Sequence, residues 1–267
     1  MSALDPILER TRTEVARRQV IVPVSEVEAA AAERTTREDV RSFTEALAQP
    51  GLSIIAAHKR RSPSAGVIRD DLELEAVVGA YERGGASALS VLTETGSFGG
   101  SLTDLERARR ASALPILCKD FIVDPYQVAE SRAAGADAIL LIVAALGVDE
   151  LESLYARARA LGLGVLVEVH DEAELETALA LEAEVIGINN RDLVTLEVDV
   201  KRTLALRPRI PAGTIVVAES GFRTRSELER LAAAGVDAAL IGEALMRATD
   251  IEVACRGLAG DRRGSLP

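Results

Sequence analysis

Aromatic side chains are scarce in this 267-residue chain: they make up 3% of it, with no tryptophan, four phenylalanines and three tyrosines. Because 48% of the residues are still hydrophobic, the core has to be built from Ala, Val, Leu and Ile, a composition that suits parallel strands buried on both faces. Basic residues are outnumbered, 31 against 42 acidic ones, and the formal charge of −11 excludes a binder of nucleic-acid backbones, which needs a basic face to displace counterions. Any anionic ligand must therefore meet a local positive site. Two cysteines, Cys118 and Cys255, are too few for a disulfide framework and point to a reduced, intracellular protein. No apolar run approaches the roughly 20 residues of a membrane span. Asp5 and Glu9 also break any signal-peptide pattern, so the expected location is cytoplasmic with no membrane partner.

Lysine is rarer still: of the 31 basic residues only Lys59, Lys119 and Lys201 are lysine. A chain so biased toward arginine is expected to keep lysine where a compact, shiftable charge is needed, as in proton transfer. Lys201, in a charged Asp-Val-Lys-Arg stretch, needs no such explanation.

Short apolar segments recur at 53–57, 88–92, 116–118, 138–143, 165–169, 185–188, 214–218 and 238–241. Between them, 72–83, 102–111, 125–134, 149–161, 172–181 and 225–234 carry helical spacing of apolar and charged residues. Strand then helix, repeated, predicts a parallel sheet. Gly85-Ala86-Ser87-Ala88, Gly135-Ala136-Asp137-Ala138 and Gly235-Val236-Asp237-Ala238 each close a helix and open an apolar run. Their spacings of 50 and 100 residues are multiples of about 25, the size of one strand-helix unit in an eightfold barrel. An open doubly wound sheet is disfavoured because no Gly-x-Gly-x-x-Gly follows the first strand. The expected architecture is a (β/α)8 barrel, one domain overall. A helical extension occupies 1–50, the barrel 51–258 and a frayed tail 259–267. Asp5-Pro6 is a helix start, with Leu4, Ile7, Leu8 and Val15 as its apolar stripe and a second helix over 24–33. This extension covers the reaction face or pads the other end.

In such a barrel, chemistry sits at the C-terminal strand ends. Those ends carry Lys59, Glu94, Lys119-Asp120, Glu168 with His170, Asn189-Asn190-Arg191, Glu219-Ser220-Gly221 and Gly242. Strand alternation puts Ala57 and Lys59 on the inner face and aims His58 at the helices. A lysine pair beside a glutamate divides acid and base roles through mutual pKa shifts. Glycines at 221 and 242, after the last two strands, suit a backbone cradle for a phosphate, with Ser62-Pro63-Ser64 adding a hydroxyl. The expected partner is a small sugar-phosphate substrate.

The strand-end motifs resemble those of the indole-3-glycerol phosphate synthase family. The resemblance rests on Lys59-Arg60-Arg61-Ser62-Pro63-Ser64, Val91-Leu92-Thr93-Glu94, Phe98-Gly99-Gly100-Ser101, Lys119-Asp120-Phe121-Ile122, Val167-Glu168-Val169-His170, Gly187-Ile188-Asn189-Asn190-Arg191-Asp192-Leu193, Ala218-Glu219-Ser220-Gly221 and Gly242-Glu243-Ala244-Leu245-Met246. They run in family order along nearly the whole chain. The resemblance implies a decarboxylating lyase of tryptophan biosynthesis. Its reaction closes the ring of 1-(2-carboxyphenylamino)-1-deoxyribulose 5-phosphate with loss of carbon dioxide and water, and it needs no metal or organic cofactor. It further implies Lys119 as general acid on the substrate carbonyl, Glu168 as the carboxylate assisting dehydration, and Lys59 as the acid there. Asn189 would orient a hydroxyl, and Glu219 and Ser220 would complete the catalytic ring. Arg191 would meet the anthranilate carboxylate, and Phe98, Phe121, Leu140, Leu193 and Leu196 would hold the aromatic ring. Ser62, Gly221, Gly242 and Glu243 would hold the phosphate. A monomer or weak homo-oligomer is expected.

One position departs. The family has glutamate two residues before the first lysine, and this chain has Ala57. Three consequences compete: a genuine but slower enzyme, with Glu94 or Glu219 covering part of the role; a substrate-shifted paralogue or non-catalytic binder of the same class of sugar phosphate; or a substitution made to trap a ligand. Phosphoribosylanthranilate isomerase, another phosphate-binding barrel, uses a Cys and Asp pair and fits the motifs poorly.

Overall fold

The structure, a computed structural model, describes residues 4–37 and 39–260. Three helices come first: α1 (Asp5–Ile21), α2 (Val24–Thr35) and α3 (Phe43–Leu47). Strand β1 (Ser53–His58) is followed by a small antiparallel hairpin, β2 (Arg61–Ser62) with β3 (Gly66–Val67). The remaining parallel strands are β4 (Ala88–Leu92), β5 (Ile116–Lys119), β6 (Ala138–Ile142), β7 (Gly164–Val169), β8 (Val185–Asn189), β9 (Ile215–Glu219) and β10 (Ala238–Ile241). With β1 they close in the order β1-β10-β9-β8-β7-β6-β5-β4, a (β/α)8 barrel.

Around it lie α4 (Leu74–Arg83), α5 (Thr95–Phe98), α6 (Leu102–Ala111), α7 (Pro125–Ala133), α8 (Val148–Ala160), α9 (Glu172–Ala180), α10 (Lys201–Leu206), α11 (Arg225–Ala233), α12 (Glu243–Met246) and α13 (Ile251–Ala259). Their starts are written in side chains. Ser101, Asp124, Asp171, Thr224 and Asp250 accept first-turn N–H groups, and Thr224 with Glu227 forms a capping box. The repeated glycines end α4, α7 and α11 with φ of 86°, 101° and 80°, a left-handed conformation that side-chain-bearing residues rarely adopt. The next residue then donates back across the turn, as Ala136 N–H does to Ser131 O at 2.9 Å.

Alternation along each strand makes two cores. Ile55, Ala57, Leu140, Leu166, Val217 and Leu240 fill the barrel, whereas Ile54, Ala56, Leu141, Val165, Val216 and Ala239 pack under the helices. The same alternation carries inward past the apolar residues to Lys119, Glu168, Asn189 and Glu219, so a hydrophobic plug ends in a polar ring at the C-terminal rim.

The N-terminal extension serves both ends. Leu4, which caps α1, and Leu8 within it join the inner core, and so do Phe43 and Leu47 of α3. At the opposite end, Ser53 Oγ at the start of β1 donates to Leu47 O at 3.2 Å, and Phe43 lies against Gly164 at the start of β7. Helix α3 is thus the bottom plug, while α2 lies along α7 and is tied there by Arg132 Nε donating to Thr35 Oγ1 at 3.2 Å. The tail begins later than expected: Leu258 and Ala259 are helical and buried at the end of α13, where an apolar face packs on the barrel. Residues 261–267, the rest of that tail, lie outside the described residues. Among the described residues no helix is long and apolar enough to cross a membrane.

Candidate active site

A cavity of about 460 Å³ opens at the C-terminal rim, a volume in the range of small-molecule sites. Every strand end contributes through inward residues. Lys59 follows β1, Lys119 closes β5, Glu168 lies in β7, Asn189 closes β8, and Glu219 closes β9 with Ser220 and Gly221 after it.

At its floor, Lys119 Nζ donates to Glu168 Oε2 at 3.1 Å and to Glu219 Oε2 at 3.0 Å. Burial opposes the ammonium charge, but the two carboxylates more than offset it and hold the Lys119 pKa above its ordinary value. Glu168 is pulled the other way. Burial would raise it, yet Lys119, His170 and the amide of Asn189, which donates to Glu168 Oε1 at 3.1 Å, hold it well below the usual carboxylate range. Glu219 goes up to about 7, through burial and then the neighbouring charge of Glu168, despite its bond to Lys119. Two carboxylates on one ammonium are therefore pushed to opposite sides of their common value, the division of labour that acid-base chemistry requires.

Lys59 stands apart. Among the described residues its ammonium has no carboxylate at ion-pair distance, and burial, with Arg191 and Lys119 adding repulsion, lowers its pKa to about 8 against the distant pull of Glu243. His58 is buried on the outer face beside Arg60 and Asp104 of the helix layer, as alternation requires, and burial lowers it to about 4.

Phe98 and Phe121, with ring centroids 6.2 Å apart, line the cavity together with Leu140, Leu193 and Leu196. Ser62, Gly221, Gly242 and Glu243, which follow β1, β9 and β10, line the same cavity. Ser220 and Gly221 are consecutive left-handed residues, with φ of 66° and 98°. A Cβ on Gly221 would come within 2.7 Å of Val198 Cγ1 and 2.8 Å of Val200 Cγ1, so the turn has room for glycine alone. Ser220 Oγ donates to Asn189 Oδ1 at 2.9 Å, and the same oxygen accepts the Arg191 N–H at 3.0 Å. Arg191 also anchors one arm on Leu196 O at 2.8 Å. Ser62 Oγ accepts the Ala65 N–H at 3.2 Å inside the small hairpin, and the Glu243 carboxylate pairs with Arg247 at 3.0 Å. Among the described residues no group of His, Cys, Asp and Glu side chains converges as metal ligands.

The family model for indole-3-glycerol phosphate synthase matches residues 4–258. The chain belongs to the indole-3-glycerol phosphate synthase family. It is 51% identical over 220 residues to "Indole-3-glycerol phosphate synthase 2" of Streptomyces coelicolor, covering 82% of this chain and 85% of that protein. It is 46% identical over 257 residues to the indole-3-glycerol phosphate synthase of Mycobacterium avium, covering 96% and 93%. Among solved structures it is similar to a 3-hexulose-6-phosphate synthase, with a TM-score of 0.61 at 15% identity over 78% of this chain and 98% of that one. It is also similar to a thiamine phosphate pyrophosphorylase from Pyrococcus furiosus, with a TM-score of 0.58 at 17% identity over 81% and 96%. These two likenesses speak to the barrel fold alone.

Against the family pattern, Ala57 lines the cavity with only a methyl group. That methyl lies 3.1 Å from where a Cβ on Gly242 would be, and Lys59 Cε is 3.2 Å from the same point. Glu94 does not replace the missing carboxylate. Its Oε2 caps α5, accepting the Ser97 and Phe98 N–H groups, and Arg10 stands 3.6 Å from Oε1. Glu219 has one oxygen committed to Lys119. Missed from the sequence as site residues were Leu4, just before α1, Ile7 within it, and Arg223, all of which line the cavity. The apolar stripe of α1 was readable, but nothing in it says which barrel end it covers.

Proposed function

We propose that this chain catalyses the ring closure of 1-(2-carboxyphenylamino)-1-deoxyribulose 5-phosphate to indole-3-glycerol phosphate, releasing carbon dioxide and water. The observation that carries the reading is the Lys119 ammonium held between Glu168 and Glu219 at 3.1 and 3.0 Å in a cavity lined by both apolar side chains and the glycines after β9 and β10. The phosphate binds at Ser62 and at the backbone of Gly221, Gly242 and Glu243, whose own carboxylate is turned to Arg247. The aromatic ring lies among Phe98, Phe121, Leu140, Leu193 and Leu196, with its carboxylate on the Arg191 fork.

Lys119 then donates a proton to the substrate carbonyl as the ring carbon attacks it, and the new hydroxyl is oriented by Asn189. Loss of carbon dioxide from that ring carbon then restores the aromatic ring, and the apolar residues around it keep water away from the carboxylate, whose charge Arg191 meets. In the dehydration that follows, Lys59 protonates the departing hydroxyl and Glu168 takes up the ring-system proton. A lysine poised near neutrality suits that acid role. Every group used comes from a single chain, so a monomer suffices.

Ala57 favours a second component of this reading, a slowed enzyme that keeps its grip on the sugar phosphate. Loss of one positioned polar group costs on the order of 10² to 10³ in rate. Indole fluorescence after addition of the substrate tests this. The chain gives slow turnover, and Ala57→Glu gives faster turnover. Tight substrate binding with no product from the chain would replace the enzyme reading by that of a binder.

A further inference from the structure

We propose that His170 is a positioning residue, held as an imidazolium between Glu174 and Glu168, that keeps the Glu168 carboxylate charged while Lys119 gives up its proton. The proposal rests on the role given above to Glu168. His170 follows β7 and is buried, 8% exposed. Its Nδ1 lies 3.0 Å from Glu174 Oε2, and its Nε2 lies 3.3 Å from Glu168 Oε1, an ion-pair contact rather than an aligned hydrogen bond. A neutral imidazole has one bare nitrogen, whose lone pair would here face a carboxylate oxygen at close range. Only the doubly protonated ring can donate to Glu174 and still set positive charge, not a lone pair, beside Glu168. The His170 N–H of the backbone also donates to Glu174 Oε2 at 2.8 Å, so the carboxylate that holds the ring is itself fixed, from the first turn of α9.

Among the described residues the groups facing this cluster are few. Glu168 meets Lys119 from β5, Asn189 from β8 and His170, with Glu219 of β9 on the far side of the same ammonium. His170 meets Glu168 and Glu174. Burial lowers its affinity for a proton, and the two carboxylates reverse this and raise its pKa to about 10. The consequence appears during turnover. Once Lys119 has passed its proton to the substrate, the cation that stabilised Glu168 is gone, and its buried carboxylate faces a neutral amine with Glu219 close by. The imidazolium is the positive charge that remains on Glu168, and it keeps that carboxylate from taking the proton meant for the substrate.

The chain has two histidines, His58 and His170, so imidazole nitrogen NMR resolves each ring, and His170→Gln assigns them. In the full-length protein without substrate, the His170 ring is expected to be doubly protonated from pH 6 to 9. Its midpoint is expected to fall by about one unit or more in Glu174→Gln and, by reciprocity, in Glu168→Gln. In the activity assay, His170→Gln is expected to lower kcat on the order of tenfold, one pKa unit of lost stabilisation, with KM little changed. The acid limb of its kcat/KM profile moves to higher pH, because a carboxylate without its cation binds protons more readily. Glu174→Gln, which touches neither Glu168 nor the cavity wall, gives the same shift in smaller degree and covers the case of a poorly folded His170→Gln. A His170 midpoint near the ordinary imidazole value, or one unmoved by Glu168→Gln, overturns the proposal whatever the activity. Absence of product from the unmodified chain, with the linked NMR midpoints intact, overturns the ring-closure reading instead and leaves the ion triad standing.

Discussion

Ala57 and Lys59 are two residues apart and share a face of β1, so what stands at 57 sets the field at 59. With alanine there, burial lowers the Lys59 pKa to about 8. An acid works only while protonated, so kcat/KM is expected to fall on the alkaline side with a midpoint near 8, measured as a pH-rate profile at low substrate. In Ala57→Glu a carboxylate beside the ammonium favours its charged form, and that limb should move upward by about one unit or more. Bound phosphate acts in the same direction, so the limb of kcat lies above that of kcat/KM. An alkaline limb that does not move on Ala57→Glu would remove Lys59 from the acid role. Placing Lys59 and Ala57 on the inner face needed only the period of a strand, and the sequence was enough for it. The Lys119 pairings were not legible in the same way. They join residues 49 and 100 positions apart, and only the closed barrel brings those ends within 3.1 Å.

Helix α1 shows where a pattern stops short of a location. Its stripe announces one buried face, and the same stripe would fit either barrel end. Which end it meets depends on tertiary packing: Arg10 Nη2 donates to Ser97 Oγ at 2.7 Å at the rim, and Arg18 grips Glu130 of α7 at 2.9 Å. Adjacent residues of this helix then face different tasks. Leu8 is buried in the inner core, whereas Ile7 is only half-buried and lines the cavity. Leu8→Ala should cost about 2 to 5 kcal/mol in unfolding free energy by leaving a void, read from denaturant titration. Ile7→Ala should leave stability within about 1 kcal/mol, as expected for a partly exposed site, and raise KM by removing apolar wall. A KM unaffected by Ile7→Ala, with substrate affinity also unchanged, would make α1 a scaffold rather than part of the site. The short helices α5, α10 and α12 escaped the sequence reading for a related reason. Runs of four to six residues are too brief for a helical period to emerge, and α5 is nucleated by the Glu94 cap rather than by any stripe.

At the scale of the molecule, a chain of net charge −11 that is expected to bind a phosphorylated anion gathers four of its 31 basic residues in one cavity. Lys59, Lys119, Arg191 and Arg223 all line it. The eight strands, counted from apolar runs, were enough to anticipate the closed barrel and the end at which those cations gather. Their balance against the carboxylates was not, because it depends on which charges burial leaves without partners. Ala57 tips that balance by one unit toward positive relative to the family pattern. Two unit charges about 6 Å apart at an effective dielectric near 20 interact by about 3 kcal/mol, part of which solvent and bound ions screen away. The chain is therefore expected to bind indole-3-glycerol phosphate about 10- to 100-fold more tightly than Ala57→Glu does, measured by calorimetry at fixed ionic strength. That difference should shrink as salt is added. The same variant is expected to turn over faster, so rate and affinity move in opposite directions from one residue. Weaker product binding with no gain in rate would mean that position 57 tunes charge alone, and a gain in rate with unchanged affinity would mean that the carboxylate works by contact with the reacting atoms rather than through the field of the site.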